Sequence, residues 1–190
     1  MKIAVIGTGH IGGTLGGKFV SAGHEVVYGS RQAAGGGPGG APVRAVGDAL
    51  ADAEVVVLAV PARAIPDLIA EHGSALAGTI VVDAVNRIGE PETNSRRLIA
   101  QAAPTALYVR AFNTLGWENF ADPPSGAALF FAADAGARPV AQELITVVGL
   151  HPEYVGDADA AGTVDGLLPL WFALVQQHGG NRRLALRVAG

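Results

Sequence analysis

Residues 1–31, MKIAVIGTGHIGGTLGGKFVSAGHEVVYGSR, decide the fold by the order of their residue types. Lys2 to Ile6 is a short β-branched and apolar run, which predicts a strand. It meets Gly7, Gly9 and Gly12 in the spacing G-x-G-x-x-G as a helical pattern opens with Ile11, Leu15 and Phe19. Gly23 suits the end of that helix, and His24 to Tyr28 is a second β-rich run. In this setting Gly7 permits a tight turn, Gly9 lets backbone approach a pyrophosphate, and Gly12 lets the helix sit close on the strand. The turn is therefore read as a dinucleotide seat, its diphosphate facing unpaired N–H groups and the positive end of a helix dipole.

The spacing alone is weak, because 27 glycines in 190 residues give about 0.5 chance matches. Gly35, Gly37 and Gly40 also satisfy it, within QAAGGGPGGAP, but no strand run adjoins them and no helical pattern follows. That second match reads as a flexible loop. Gln32 to Pro42 is too glycine-rich for a stable helix, so the usual helix after the second strand is expected to be short or lost, with the loop closing over the adenosine end.

The end of the second strand selects the cofactor. An Asp or Glu about 20 residues beyond the glycines would accept from the ribose 2′-hydroxyl. Here the chain reads Tyr28-Gly29-Ser30-Arg31, a hydroxyl beside a guanidinium, which suits a 2′-phosphate. A carboxylate about 4 Å from that phosphate would cost on the order of 4 kcal/mol at an effective dielectric near 20. NADP(H) is expected over NAD(H), with Arg44 as a candidate second phosphate contact.

The length favours one domain, or one with a small appendage. With 49% hydrophobic and 16% charged residues the chain can bury a sizeable core, and a net charge of −4 without a basic run recommends neither nucleic acid nor membrane as a partner. Zero cysteines rule out disulfides and thiolate chemistry and fit a cytoplasmic protein. The chain enters a strand at once without a signal-peptide pattern, and no apolar run is read as approaching the roughly 20 residues of a membrane span. No metal-ligand spacing, nucleophile motif or carboxylate pair stands out.

Further strands are expected at Val43 to Val46, Glu54 to Val60, Thr79 to Ala84, Ala106 to Ala111, Ala127 to Ala132 and Pro152 to Val155. Helices are expected at Gly47 to Ala53, from Pro66 to His72, around Leu98 and Ile99, and from Arg138 to Val148. This alternation predicts an α/β fold, a doubly wound, mainly parallel Rossmann sheet with strand order beginning 3-2-1-4-5. Residues 1–156 form the expected dinucleotide-binding domain and 157–190 a small C-terminal helical unit packed on the sheet. There, Leu167, Leu168, Leu170, Trp171, Phe172, Leu174 and Val175 make a helix apolar almost all round, expected to meet the sheet and a second subunit in a homodimer. Ligands of such sheets lie beyond the carboxyl ends of the strands, which gathers Gly7 to Gly12, Ser30, Arg31, Ala59 to Pro61, Asn86 and Asn113 to Trp117 into one cleft.

Taken in order, MKIAVIGTGHIG, YGSR, VVVLAVP, VVDAVN, AFNTLGWENFADP and GDADAAGTVDGLLPLWFAL resemble the family of NADPH-dependent reductases of coenzyme F-420, a 5-deazaflavin. The resemblance implies a dinucleotide fold with a small C-terminal portion, dimers, and hydride transfer between NADPH and a deazaflavin or flavin. Carried over by residue, it implies that Thr8, Gly9, His10 and Ile11 hold the pyrophosphate, Ser30 and Arg31 the 2′-phosphate, and Ala59, Val60 and Pro61 the cofactor's path. Asn86, Leu115, Gly116 and Trp117 would lie near the nicotinamide and the acceptor, with Asn113 and Thr114 offering hydrogen bonds there. One departure is plain: the family's basic helix after the Ser-Arg pair is replaced here by the glycine loop.

Hydride transfer between two flat rings is a positioning problem that needs no acid–base pair. His10 reads either as a phosphate contact through its backbone or as a packing residue, and His151 and His178 as solvated. Asp83 reads as a capping or backbone-bonding carboxylate, and Trp117 as a stacking wall or a core aromatic. Two alternatives stand beside the reductase: an NADPH-binding sensor without turnover, and a reductase of a small imine or carbonyl substrate using Tyr108 or Asp83 as proton donor. If Ser30 and Arg31 select the phosphate, NADPH titrates more tightly than NADH and Arg31→Ala weakens NADPH alone; equal affinities would remove the claim.

Overall fold

A computed structural model of the chain describes residues 1–33 and 35–189; residues 34 and 190, in the expected loop and C-terminal unit, lie outside the described residues. Eight strands form one sheet: β1 (Lys2–Ile6), β2 (Glu25–Gly29), β3 (Val43–Arg44), β4 (Val55–Leu58), β5 (Ile80–Asp83), β6 (Leu107–Arg110), β7 (Ala128–Ala133) and β8 (His151–Gly156), in the order β3-β2-β1-β4-β5-β6-β7-β8. The first six run parallel, β7 is antiparallel to β6, and β8 is parallel to β7. The expected mainly parallel Rossmann sheet is thus present. Every residue of β4 is buried, as its unbroken apolar sequence VVVL requires of a strand covered on both faces.

The helices are α1 (His10–Ser21), α2 (Val46–Leu50), α3 (Ile65–His72), α4 (Arg96–Ala102), α5 (Trp117–Ala121), α6 (Arg138–Val148), α7 (Ala161–Asp165) and α8 (Leu167–Gln177). One core layer joins Leu15, Phe19, Val57, Val109, Ile145 and Trp171, and the other joins Leu58, Val56, Ile65, Ile69, Val81 and Ile99. Helix α6 ends at Gly149, whose φ of 97° is the left-handed conformation that closes many helices.

Four glycines in α1 would each weaken an isolated helix by roughly 1 kcal/mol relative to alanine. Their use is close packing. A Cβ at Gly12 would stand 2.1 Å from the Gly7 carbonyl oxygen, and one at Gly16 would stand 2.3 Å from the Tyr28 hydroxyl. Tyr28 is buried, its hydroxyl within 3.4 Å of the Gly13 and 3.3 Å of the Pro38 carbonyl oxygens, and burial pushes its pKa up to about 12.

The glycine loop departs from expectation. It holds a single 3₁₀ turn, Pro38–Gly40, closed by a bridge between Gly36 and Pro42, and it packs on α1 and Tyr28 instead of closing over the adenosine end. The cause is steric: without a Cβ, Gly37 lies flat against the Tyr28 ring, where a Cβ would come within 2.4 Å of Cδ2, and Gly39 approaches Val20. The second G-x-G-x-x-G is therefore a packing device.

At the other end of the chain, α7 and α8 follow a 3₁₀ turn at Ala158–Ala160. Trp171 is buried and its indole N–H donates to the Leu184 carbonyl at 2.9 Å, while the Ala128 amide donates to Leu186 at 2.8 Å. On the outer face of α8, Leu170 is 48% and Phe172 45% exposed. Ala158–Gln177, 20 residues with mean hydropathy 1.3, has the length and composition of a membrane span, but it is divided into the 3₁₀ turn, α7 and α8 and carries Asp159 and Asp165. Asp165 reaches into the protein, as described below.

Neighbouring glycines on α1 give opposite expectations. Gly16→Ala should lower stability by about 1–3 kcal/mol through overlap with Tyr28. A Cβ at Gly17 meets nothing closer than 3.7 Å, so Gly17→Ala should raise stability by about 0.5–1 kcal/mol. Chemical denaturation of both variants checks this, and equal shifts would contradict the packing.

Candidate active site

A cleft of about 490 Å³ opens beyond the carboxyl ends of β1, β2 and β4. Gly7, Ser30, Arg31, Val60 and Pro61 line it, as does Arg63, with Asp67, Glu71 and His72 on or next to the far wall formed by α3. Gly7 has a φ of 114°, and a Cβ there would come within 2.4 Å of the Ala59 carbonyl oxygen. The Gly7 amide donates to the Gly29 carbonyl, and the Ala59 amide to the Ile6 carbonyl, so the turn is tied to β2 and β4 together. A Cβ at Gly9 would meet nothing within 4 Å. Thr8, Gly9 and His10 are exposed, Ile11 is half-buried and Gly12 is buried. A turn with open space beside Gly9, at the start of a 12-residue helix, fits a diphosphate.

Ser30 is half-buried, its hydroxyl accepting from the Gln32 amide at 3.2 Å, and Arg31 is exposed. Among the described residues, neither Arg31 nor Arg63 has a carboxylate within 4.0 Å. Arg44 lines a different groove, with Lys2, Glu25, Asp48 and Asp52. Arg63 was missed although the expected strand order already set β2 and β4 on either side of β1, because it lies on the turn past Pro61 and no sequence pattern marks it.

Beyond β5 and β6 lies a buried polar cluster centred on Arg110, which is fully buried. Nε donates to Asp165 Oδ1 (2.7 Å), the first terminal nitrogen to the carbonyls of Asp83 (2.9 Å) and Val85 (2.7 Å), and the second to Asn86 Oδ1 (2.7 Å). Ion pairs add Asp165 Oδ1 at 2.6 Å and Asp83 Oδ1 at 3.5 Å. Asp165 also accepts from Asn113 Nδ2 at 3.1 Å and Asn94 Nδ2 at 2.8 Å, and Asn86 Nδ2 donates to the Asn113 carbonyl at 2.7 Å. Asp83 accepts from the Val85 and Ser95 amides and from the Tyr108 hydroxyl, the backbone-bonding role read from its position. Burial, and next the Asp83 charge, hold the Tyr108 phenol well above its ordinary pKa. The two proton donors considered for an imine or carbonyl substrate are thus buried and bonded to each other. Arg110 and Asp165 were missed, although a charged residue in the apolar run LYVRAF was a signal for a buried partner.

Asn113 to Gly116 do not line the open cleft, and Trp117 reaches the glycine turn through His10. Phe112 sits at φ 60°, an uncommon conformation for a bulky residue, and turns the chain inward. Asn113, Thr114, Leu115 and Gly116 are buried; Thr114 and Leu115 face a small space under α8 with Leu167 and Trp171. Half-buried Trp117 stacks on exposed His10, with ring centroids 4.8 Å apart and planes at 17°. His10 therefore packs with its side chain and leaves its backbone in the glycine turn. His151 and His178 are exposed, and among the described residues no cluster could hold a metal ion.

Residues 2–87 match the model of a family described as NADP oxidoreductase, coenzyme F420-dependent. The match takes in 86 of the 190 residues, somewhat under half of the chain. The family segment contains the glycine turn, Ser30, Arg31, Arg63 and Asn86, and stops before Asn113. The metalloreductase STEAP3 of Rattus norvegicus is 29% identical over 185 residues, covering 90% of this chain; the chain spans 38% of that relative's length. A solved structure from Arthrobacter sp. FB24, provisionally assigned as an F420-dependent NADP-reductase, is 27% identical with a TM-score of 0.83 and full coverage of both chains. A hypothetical protein of Sinorhizobium meliloti is 28% identical with a TM-score of 0.71, covering 100% of this chain and 96% of its own. An imine reductase of Streptomyces aurantiacus, 20% identical at a TM-score of 0.67, covers 93% of this chain and 62% of its own and shares the fold.

Removing Asp165 takes the nearer of two carboxylates from the buried Arg110 guanidinium and leaves only Asp83, at 3.5 Å. Asp165→Ala should therefore cost about 3–5 kcal/mol in unfolding free energy. A loss below about 1 kcal/mol in urea titration would mean that the pair holds nothing together.

Proposed function

We propose that this protein transfers hydride between NADPH and a deazaflavin such as coenzyme F-420, or a flavin. The observation that carries the reading is one cleft in which a glycine turn open beside Gly9 shares its lining with Ser30 and Arg31, with no acid at the end of β2. The family description and the Arthrobacter relative support the acceptor class.

When bound, NADPH supplies the hydride. The residues present would serve it by position. Thr8 to Ile11 would meet the diphosphate with backbone N–H groups, Ser30 and Arg31 the 2′-phosphate, and Ala59 to Pro61 the path along the strand ends. Asn86, held by Arg110, would stand near the nicotinamide, and Trp117 with His10 would wall the acceptor. We further read the protein as cytoplasmic, with 1–156 as the nucleotide-binding domain and 157–190 as the C-terminal unit. Its working form would be a homodimer, for which the exposed Leu170 and Phe172 are the natural contact.

The burial of Asn113 to Gly116 favours a second reading, an NADPH-binding sensor without turnover. Mixing the protein with NADPH and oxidised F-420, flavin mononucleotide or riboflavin separates the two. The reductase bleaches the acceptor band as NADPH absorbance falls. Tight NADPH binding with no consumption for any of the three would favour the sensor.

A further inference from the structure

We infer that Arg63 is the second cation of the 2′-phosphate seat and, with Arg31, sets the preference for a phosphorylated adenosine. The inference rests on the proposed NADPH cleft and adds to it a residue from another strand end. Strands β2 and β4 both flank β1, so their carboxyl ends lie about 10 Å apart across the sheet. Ser30 and Arg31 leave from the first end. Arg63 leaves from the second, on a 3₁₀ turn at Ala62–Ala64 that begins after Pro61 and is closed by the Ala64 amide donating to the Pro61 carbonyl at 2.8 Å. All three line the same cleft. Two side chains long enough to span part of that gap thus approach one ligand from opposite sides.

The charges around the cleft give Arg63 its weight. The lining carries two guanidiniums, Arg31 and Arg63, against two carboxylates, Asp67 and Glu71, with His72 beside Glu71. Asp67 and Glu71 are four residues apart on α3 and so share a helix face. Without Arg63 the acids outnumber the arginines, and the field at the mouth would oppose a phosphate. Among the described residues, Arg63 has no carboxylate within 4.0 Å, so its charge is free for a ligand. The other two places for a second contact are occupied differently. The glycine loop packs on α1, and Arg44 belongs to the groove with Asp48 and Asp52.

The test uses the full-length protein and fragments without nicotinamide, so it needs no acceptor. Dissociation constants are measured by calorimetry for 2′,5′-ADP and 5′-ADP on the wild type and on Arg31→Ala, Arg63→Ala, Arg63→Lys and Arg44→Ala, with thermal melts as the check on folding. The expected result is that Arg63→Ala weakens 2′,5′-ADP by about 10- to 100-fold while 5′-ADP changes less than about threefold. Arg63→Lys should recover part of the loss because it keeps the charge and not the planar fork. Arg44→Ala should match the wild type. Unchanged 2′,5′-ADP affinity in Arg63→Ala, with Arg31→Ala alone weakening it, would overturn the inference and leave the NADPH reading standing. A wild type that binds neither 2′,5′-ADP nor NADPH would bring down both.

Discussion

The backbone contact of Gly12 on Gly7, and of Gly7 on Ala59, is the constraint from which the rest of the molecule follows. A Cβ at either glycine would overlap a carbonyl oxygen, at 2.1 Å and 2.4 Å. Because these atoms touch directly, α1 begins immediately above the ends of β1 and β4, and the amides of its first turn face the mouth of the sheet. The same contact leaves room between the ends of β2 and β4 for the cleft lined by Ser30, Arg31 and Arg63. Glycine is a poor helix former, so α1 owes its stability to burial of Leu15 and Phe19 and to its seat on Tyr28.

The second anchor is electrostatic. Arg110 would be costly to bury alone, and the chain offsets that cost with four hydrogen bonds and two carboxylates drawn from β5, the loop after it, and α7. The result is a rigid bracket at the ends of β5 and β6. It links the C-terminal segment through Asp165 to Asn86 and Asn113, so the position of α7 and the geometry at the strand ends cannot vary independently. The left-handed Phe112 next to this bracket stores backbone strain where the chain leaves β6.

Much of this was legible in the sequence because the signals were local. A strand run, three glycines and a helical period follow one another between Lys2 and Phe19, and Ser30-Arg31 closes the next strand directly. The buried runs VVVL and IVVD announce themselves by composition. What escaped lacks a local pattern, or depends on distance along the chain or on direction. Arg63 lies on the turn past Pro61, where no local pattern marks it, and Asp165 reaches Arg110 across 55 residues. Hydrophobic period does not encode strand direction, so antiparallel β7 was invisible. Glycine content showed that residues 32–42 would not be a helix, but the surface on which they pack depends on the Tyr28 ring and Val20, which only coordinates reveal.

The account stands or falls on where the nucleotide sits, and a crystal structure of the protein with NADP⁺ tests that most directly. The account predicts the diphosphate against the Thr8 to Ile11 amides and the 2′-phosphate at Ser30 and Arg31. Nucleotide density elsewhere on the sheet, or none at the glycine turn under saturating NADP⁺, would contradict it.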